Sequence, residues 1–134
     1  MLLIDDDSTT NYLNKLLLLT SMQVAAQVLV AENGQEGLTQ LAQVCPSPAA
    51  STCPQLILLD MNMPVMNGLE FLEVYAQLPL DQRQSIVVVM LTTSLLEQDQ
   101  LLARRLPIHD FVTKPLTRAK VTDLLARHFP DLGA

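Results

Sequence analysis

The chain has 134 residues, room for one domain and not two, and its formal charge of −6 lacks the basic footprint of a nucleic-acid binder. Hydrophobic residues make up 49% and aromatics only 4%, which excludes disorder and makes the core aliphatic. The longest apolar run, Ile86 to Leu91, falls far short of the ~20 residues that span a bilayer, and the opening MLLIDDD lacks both the basic region and the long apolar stretch of a signal peptide.

Met1 to Ile4 is a short apolar run that stops at Asp5, Asp6 and Asp7. Ser8 or Thr9 can then cap a helix with an apolar stripe of Leu13, Leu16 and Leu17, and Asp7 supplies a favourable charge at its start. Gln27 to Ala31 reads as a second strand, followed by Glu32, an Asn33–Gly34 turn and a helix carrying Leu38, Leu41 and Ala42. Pro46, Pro48 and Pro54 break the stretch from Val44 to Gln55 into a long loop, for which the sequence offers no role. Cys45 and Cys53 lie in that loop and read as two free thiols of a cytoplasmic protein rather than a small disulfide. Nothing nearby completes a zinc site.

Leu56 to Leu59 is a continuous apolar strand ending at Asp60. Asn67 and Gly68 lead into a helix with Leu69, Leu72, Tyr75 and Ala76, closed by Pro79. Ile86 to Leu91 is β-branched and apolar, the most strand-like segment in the chain. A helix is expected around Leu95 to Leu106, a fifth strand over Asp110 to Thr113, and a final helix with Val121, Leu124 and Leu125. Strands apolar on both faces, alternating with helices, predict a doubly wound α/β fold with a parallel sheet. No internal repeat appears, and a single domain over residues 1–134 with no separate output domain is expected. Met1 stands almost at the first strand, which leaves room for native residues before it.

In such a sheet the functional crevice lies beyond the carboxyl ends of the strands. Those ends deliver Asp5 and Asp6, Asp60, Thr92 and Thr93, and Lys114 and Pro115. Clustered carboxylates repel one another and tend to protonate. A hard cation such as Mg²⁺, which takes oxygen ligands, removes that penalty. Lys114 and Thr92 suit phosphoryl oxygens, and a carboxylate can be the nucleophile that accepts a phosphoryl group. Each residue alone has a plainer reading: an Asp or Thr after a strand is often a turn or cap, and a Lys–Pro pair is surface punctuation. Four strand ends converging on one chemistry favour the functional reading.

The segments LLIDDDSTTN, LILLDMNMPVMNGLEFL, VVVMLTTS and DFVTKPLT, between residues 2 and 117, resemble the receiver domain of bacterial response regulators. The overall look is that of stand-alone receivers such as those partnering bacterial phytochromes. The resemblance implies a flavodoxin-like sheet of order 2-1-3-4-5. It implies that Asp60 accepts a phosphoryl group from a histidine kinase or phosphotransfer protein. Asp6 would bind Mg²⁺ directly, Asp5 mainly through water, and Asn62 through its backbone carbonyl. Thr92 and Lys114 would hold the phosphoryl oxygens, while Asn62 and Ser94 would tune hydrolysis. Gly68 would relieve a sharp turn, and Lys114–Pro115 would be cis. Phe111 stands where many receivers have a tyrosine; with Thr92 it would form the switch. The signal would leave through the face shared by the helix after Thr93, the fifth strand and the last helix. That face is a candidate homodimer surface or the docking site of a downstream protein.

Two rivals carry weight. A haloacid-dehalogenase-type phosphohydrolase also uses a strand-end Asp, but needs a second Asp two residues later, where this chain has Asn62. A receiver that binds partners without being phosphorylated would show a broken acidic cluster, and here it is whole. His109 and His128 read as exposed polar residues rather than metal ligands, and Met61, Met63 and Met66 as loop packing.

Overall fold

The computed structural model describes residues 1–21, 27–46, 53–61, 63, 65–79, 83, 86–92 and 105–129. Asn62, Ser94 and nearly all of the helix expected around Leu95 to Leu106 lie outside them. In chain order the elements are β1 (Leu2–Ile4), α1 (Ser8–Leu16, continued by a wider π-type turn Leu17–Ser21), β2 (Leu29–Ala31), α2 (Gly34–Val44), β3 (Leu56–Asp60), α3 (Gly68–Tyr75), β4 (Val87–Thr92), β5 (Asp110–Thr113) and α4 (Arg118–His128).

All strand pairs are parallel, and the sheet order is β2-β1-β3-β4-β5, as the resemblance implied. Alternate side chains of each strand point to opposite faces. Leu2, Ile4, Ile57, Leu59, Val88 and Met90 meet Leu41, Phe71, Leu72 and Tyr75 on the face covered by α2 and α3. Leu3, Leu56, Leu58, Val89 and Leu91 meet Leu18, Val121, Leu124 and Leu125 on the other. The apolar runs are therefore buried twice over, once per face. Among the described residues no helix is long and apolar enough to cross a membrane.

The helices begin where short polar side chains satisfy free amides. Asn33 accepts from the Glu36 amide at 2.8 Å, and Asn67 forms a capping box with Glu70. Thr117 accepts from Lys120 at 3.2 Å.

Two expectations for α1 are corrected. Its cap is Asp7, not Ser8 or Thr9; the Asp7 carboxylate accepts from Thr9 N at 3.0 Å and Thr10 Oγ1 at 2.9 Å. Its inward face is Asn11, Asn14 and, in the following turn, Leu18, while Leu13 is 57% exposed and Leu16 39%. The reason is local. The Asp5 carbonyl at the end of β1 needs a donor, and Asn11 Nδ2 supplies it at 2.8 Å. That bond sets the helix phase and turns the leucines outward.

The cysteines are also corrected. Cys45 and Cys53 form a disulfide, with Cα atoms 4.4 Å apart. Cys45 caps the end of α2 and Cys53 stands just before β3, so the intervening loop leaves and returns to one place. Reasoning from compartment could not see that closure.

Candidate functional site

The carboxyl ends of β1, β3, β4 and β5 share one rim. Asp5 directly follows β1 and is held at every polar atom. Its amide donates to the Ala31 carbonyl at 3.0 Å, its carbonyl accepts from Asn11, and Oδ1 accepts from the Asp7 amide at 2.9 Å. Oδ2 receives the Lys114 ammonium at 2.7 Å. Asp60 ends β3, and its Oδ1 lies 3.1 Å from Lys114 Nζ. Asp5 is 4% exposed and Asp60 6%, whereas Asp6 is exposed.

The loop after Asp60 is tied down by backbone. Gly68 N donates to the Met61 carbonyl at 2.9 Å, and Gly34 N to the Met66 carbonyl at 3.0 Å. A Cβ on Gly68 would sit 2.5 Å from the Asp60 carbonyl oxygen. Gly68 is thus required by the close approach of α3 to β3, not by a turn dihedral. Among the described residues the positive φ belongs to Val65, at 66°.

Carboxylate oxygens from Asp5, Asp6 and Asp60 lie within 4.8 Å of one another. Burial, and then the neighbouring Asp5 charge, hold the Asp60 carboxyl above the usual carboxylate range, against the pull of Lys114. Burial by itself would lower the Lys114 ammonium. Its bonds to Asp5 and Asp60 outweigh that and hold it above its ordinary value. Three carboxylates against one ammonium leave a surplus of negative charge in a pocket of oxygen donors. That donor set, with exposed Asp6 on the solvent side, fits a small hard cation that keeps some of its water.

Thr92 ends β4 at the same rim, 3% exposed, and its carbonyl accepts from the Lys114 amide at 2.8 Å. Met90 pairs with Phe111 and Thr92 with Thr113, so Thr92 and Phe111 lie on one face of the sheet, a step apart. Phe111 is half-buried, packed against the core beneath α2 and α3. The Lys114–Pro115 bond is cis. The structure therefore brings Asp5, Asp6, Asp60, Thr92 and Lys114 to one rim, while Asn62 lies outside the described residues.

Two supporting residues escaped the sequence reading. Asn11 fixes Asp5, and its periodic position in α1 was the available signal. Lys120 Nζ donates to the Thr113 and Pro115 carbonyls at 2.7 and 2.9 Å, bracketing Lys114. No sequence pattern announces that bond, because its acceptors are backbone carbonyls. His109 and His128 sit away from the rim. His109 is exposed, and its Nδ1 accepts from the Val88 amide at 3.0 Å; half-buried His128 and Arg127 both engage Asp110.

A family model described as the response regulator receiver domain matches residues 1–126. Protein PilH of Pseudomonas aeruginosa is 32% identical over 119 residues, covering 87% of this chain and 85% of its own. A two-component response regulator from Cytophaga hutchinsonii superposes with a TM-score of 0.82 at 26% identity, over 96% of this chain and 95% of that one. The bacteriophytochrome response regulator AtBRR does so with a TM-score of 0.72 at 31% identity, over 95% and 89% of the two chains.

Proposed function

This chain belongs to the response regulator receiver domain family, and we propose that it is a single-domain phosphorylation switch of a two-component pathway, with Asp60 as phosphoacceptor. Receiver domains interact with histidine kinases or phosphotransfer proteins, and the donor here would be one of these, in the cytoplasm. One Asp60 oxygen attacks the phosphorus of the donor's phosphohistidine. The new P–O bond forms as the P–N bond breaks, and the imidazole leaves with a proton. Lys114, 3.1 Å from Asp60, neutralises charge on the incoming oxygens, and Thr92 donates its hydroxyl to one of them. Asp5, Asp6, Asp60 and the Asn62 carbonyl would hold Mg²⁺, which when bound offsets carboxylate and phosphoryl charge.

The observation that supports this best is the shared ammonium. Lys114 contacts both Asp5 and Asp60, with Asp6 beside them, at the carboxyl ends of three strands. The haloacid-dehalogenase-type alternative gains nothing from it, since Asn62 stands where that chemistry needs an acid. Output would pass through the surface around β5 and α4, to a downstream protein or a second copy. The test is incubation with acetyl phosphate and Mg²⁺. A hydroxylamine-labile phosphoryl group should map to Asp60 and be absent from Asp60→Asn; label elsewhere, or none, would refute the assignment.

A further inference from the structure

Between α2 and α3 runs an open trough of about 320 Å³. Leu38, Leu41 and Ala42 form one wall, a turn apart along α2. Val74 and Tyr75 at the end of α3, and Leu78 just beyond it, form the other. The Tyr75 hydroxyl is buried and presents nothing to the trough. No polar side-chain group therefore lies inside to orient a small polar molecule. The lips are open: Val74 is 40% exposed, and Ala42 on the facing helix is exposed as well. From Leu38 to Cys45 the α2 wall runs about 10 Å, or two helical turns. That is the length over which a docked helix presents anchors at i, i+3 and i+7.

The charge around the trough has one sign along its helices. Residues 16–82, which include both α2 and α3, hold no Lys, Arg or His. Every cationic side chain of the protein except Lys15 falls at Arg83 or later. The charged residues of α3 are Glu70 and Glu73, both exposed. Glu73 adjoins Val74, and Glu70 lies one turn before it on the same stripe. Arg83 sits at the other end, where its Nε donates to the Leu78 carbonyl at 3.1 Å and its guanidinium lies 5.9 Å from the Tyr75 ring centroid. The trough is thus apolar within, negative along α3, and closed by a cation only beyond the end of that helix.

We propose that the α2–α3 trough docks an amphipathic helix of a partner protein, one that carries Lys or Arg beside its apolar stripe. The aliphatic side chains of that helix fill the trough, and its cations lie over Glu70 and Glu73. Burial of apolar surface supplies the affinity, while the charges select the partner and its direction. An acidic helix meets like charge and is rejected. The surface is made by other elements than β5 and α4, and its occupancy does not depend on phosphorylation of Asp60.

The experiment uses the full chain, labelled with ¹⁵N in the presence of Mg²⁺, and three synthetic helical peptides. Each has the same leucine stripe at i, i+3 and i+7, flanked by Lys, by Gln or by Glu. At low salt the lysine peptide should give saturable shifts at the amides of Leu41, Val74 and Leu78. The glutamine peptide should bind about fivefold more weakly, the upper range for exposed ion pairs, and the gap should narrow as salt is raised. The glutamate peptide should not bind. Glu70→Gln with Glu73→Gln, which keeps a side-chain acceptor for the capping box, should bring the lysine peptide down to the glutamine level. Val74→Lys and, on the facing wall, Ala42→Lys should each abolish binding; both positions are exposed, so the chain should still fold. Shifts that map to another surface, equal binding of the three peptides, or binding that survives both lysine variants would each overturn the proposal. A dimer of the chain alone that Val74→Lys dissociates in sedimentation would give the trough to a second copy and overturn the choice of occupant.

Discussion

The Lys114 ammonium lies 3.1 Å from Asp60 Oδ1 while also bonding Asp5, so one lysine spans the two most buried carboxylates of the rim. It stands where a cation relieves their repulsion, but a single positive charge cannot balance three negative ones. The rim is therefore under electrostatic stress, and that stress makes the first two predictions.

Asp60→Asn should stabilise the metal-free protein at neutral pH, by roughly 1 kcal/mol. Burial and the Asp5 charge raise the folded-state value of Asp60 above that of an ordinary aspartate. An acid raised on folding costs stability as pH climbs from the unfolded value through the folded one, and the cost persists above. The gain from Asn should therefore be present at pH 7 and vanish near pH 3, where Asp60 is protonated in both states. Urea unfolding in EDTA at the two pH values reads this directly. A mutant that is less stable at pH 7, or equally stabilised at both, would contradict it.

Mg²⁺ should stabilise the wild-type chain by mass action, by roughly 1.4 kcal/mol at about ten times its dissociation constant. Asp6 is exposed, so Asp6→Ala should leave metal-free stability nearly unchanged while removing the Mg²⁺ response and the phosphorylation. Thermal melts with Mg²⁺ and with EDTA separate the two effects. An Asp6→Ala protein with an intact Mg²⁺ shift would remove Asp6 from the metal site.

Much of this was legible because the strands carry two faces of apolar residues. Ile57 and Leu58 point to opposite cores, the pattern of a parallel sheet covered on both faces. Asn33 and Asn67 announced the starts of α2 and α3 by their type alone. The phase of α1 was hidden. Leucines crowd its end, and what decides the inward face is a bond from Asn11 to the carbonyl of Asp5, six residues away in sequence. Lys120 was hidden for a like reason: its partners are the backbone carbonyls of Thr113 and Pro115, which carry no side-chain signature. Among the site residues, acids and the lysine at strand ends were visible. The side chains that hold them in place were not.

Val65 sits at a φ of 66° with its side chain 80% exposed, so it bears backbone strain with little packing in return. A β-branched residue rarely adopts that conformation, whereas Asn does so readily. Val65→Asn should stabilise the chain by about 0.5–1 kcal/mol, and Val65→Ile should not. Denaturant midpoints of the two variants decide the matter; equal shifts would mean the strain is absent.

The Cys45–Cys53 bridge closes a loop of sequence separation 8. Loop-closure entropy at that length makes it worth about 2–3 kcal/mol. Reduction, or replacement of both cysteines by Ser, should lower stability by that order while the far rim continues to accept phosphate. Unfolding midpoints with and without a reductant test the first half, and acetyl phosphate labelling the second. Loss of labelling in a folded, reduced protein would show that the loop is coupled to Asp60.

The final prediction concerns output. Thr92 is 3% exposed and shares a face of the sheet with Phe111, one register step away. A phosphoryl group on Asp60 adds charge and acceptor oxygens at the rim, and the Thr92 hydroxyl is placed to turn toward one of them. Space then opens toward Phe111, which is half-buried and already packed against the core. Completing that burial removes apolar surface from water without hiding a hydroxyl, an advantage over tyrosine. The phosphoryl group therefore biases a two-state equilibrium. Thr92→Ala and Phe111→Ala should still take up phosphate but should uncouple it from the surface around β5 and α4. Amide exchange with and without beryllofluoride, a mimic of the acyl phosphate, should change protection across residues 105–129 in the wild type and much less in either variant. Unchanged protection there in the wild type, with changes confined to other elements, would mean that the signal leaves by a different face.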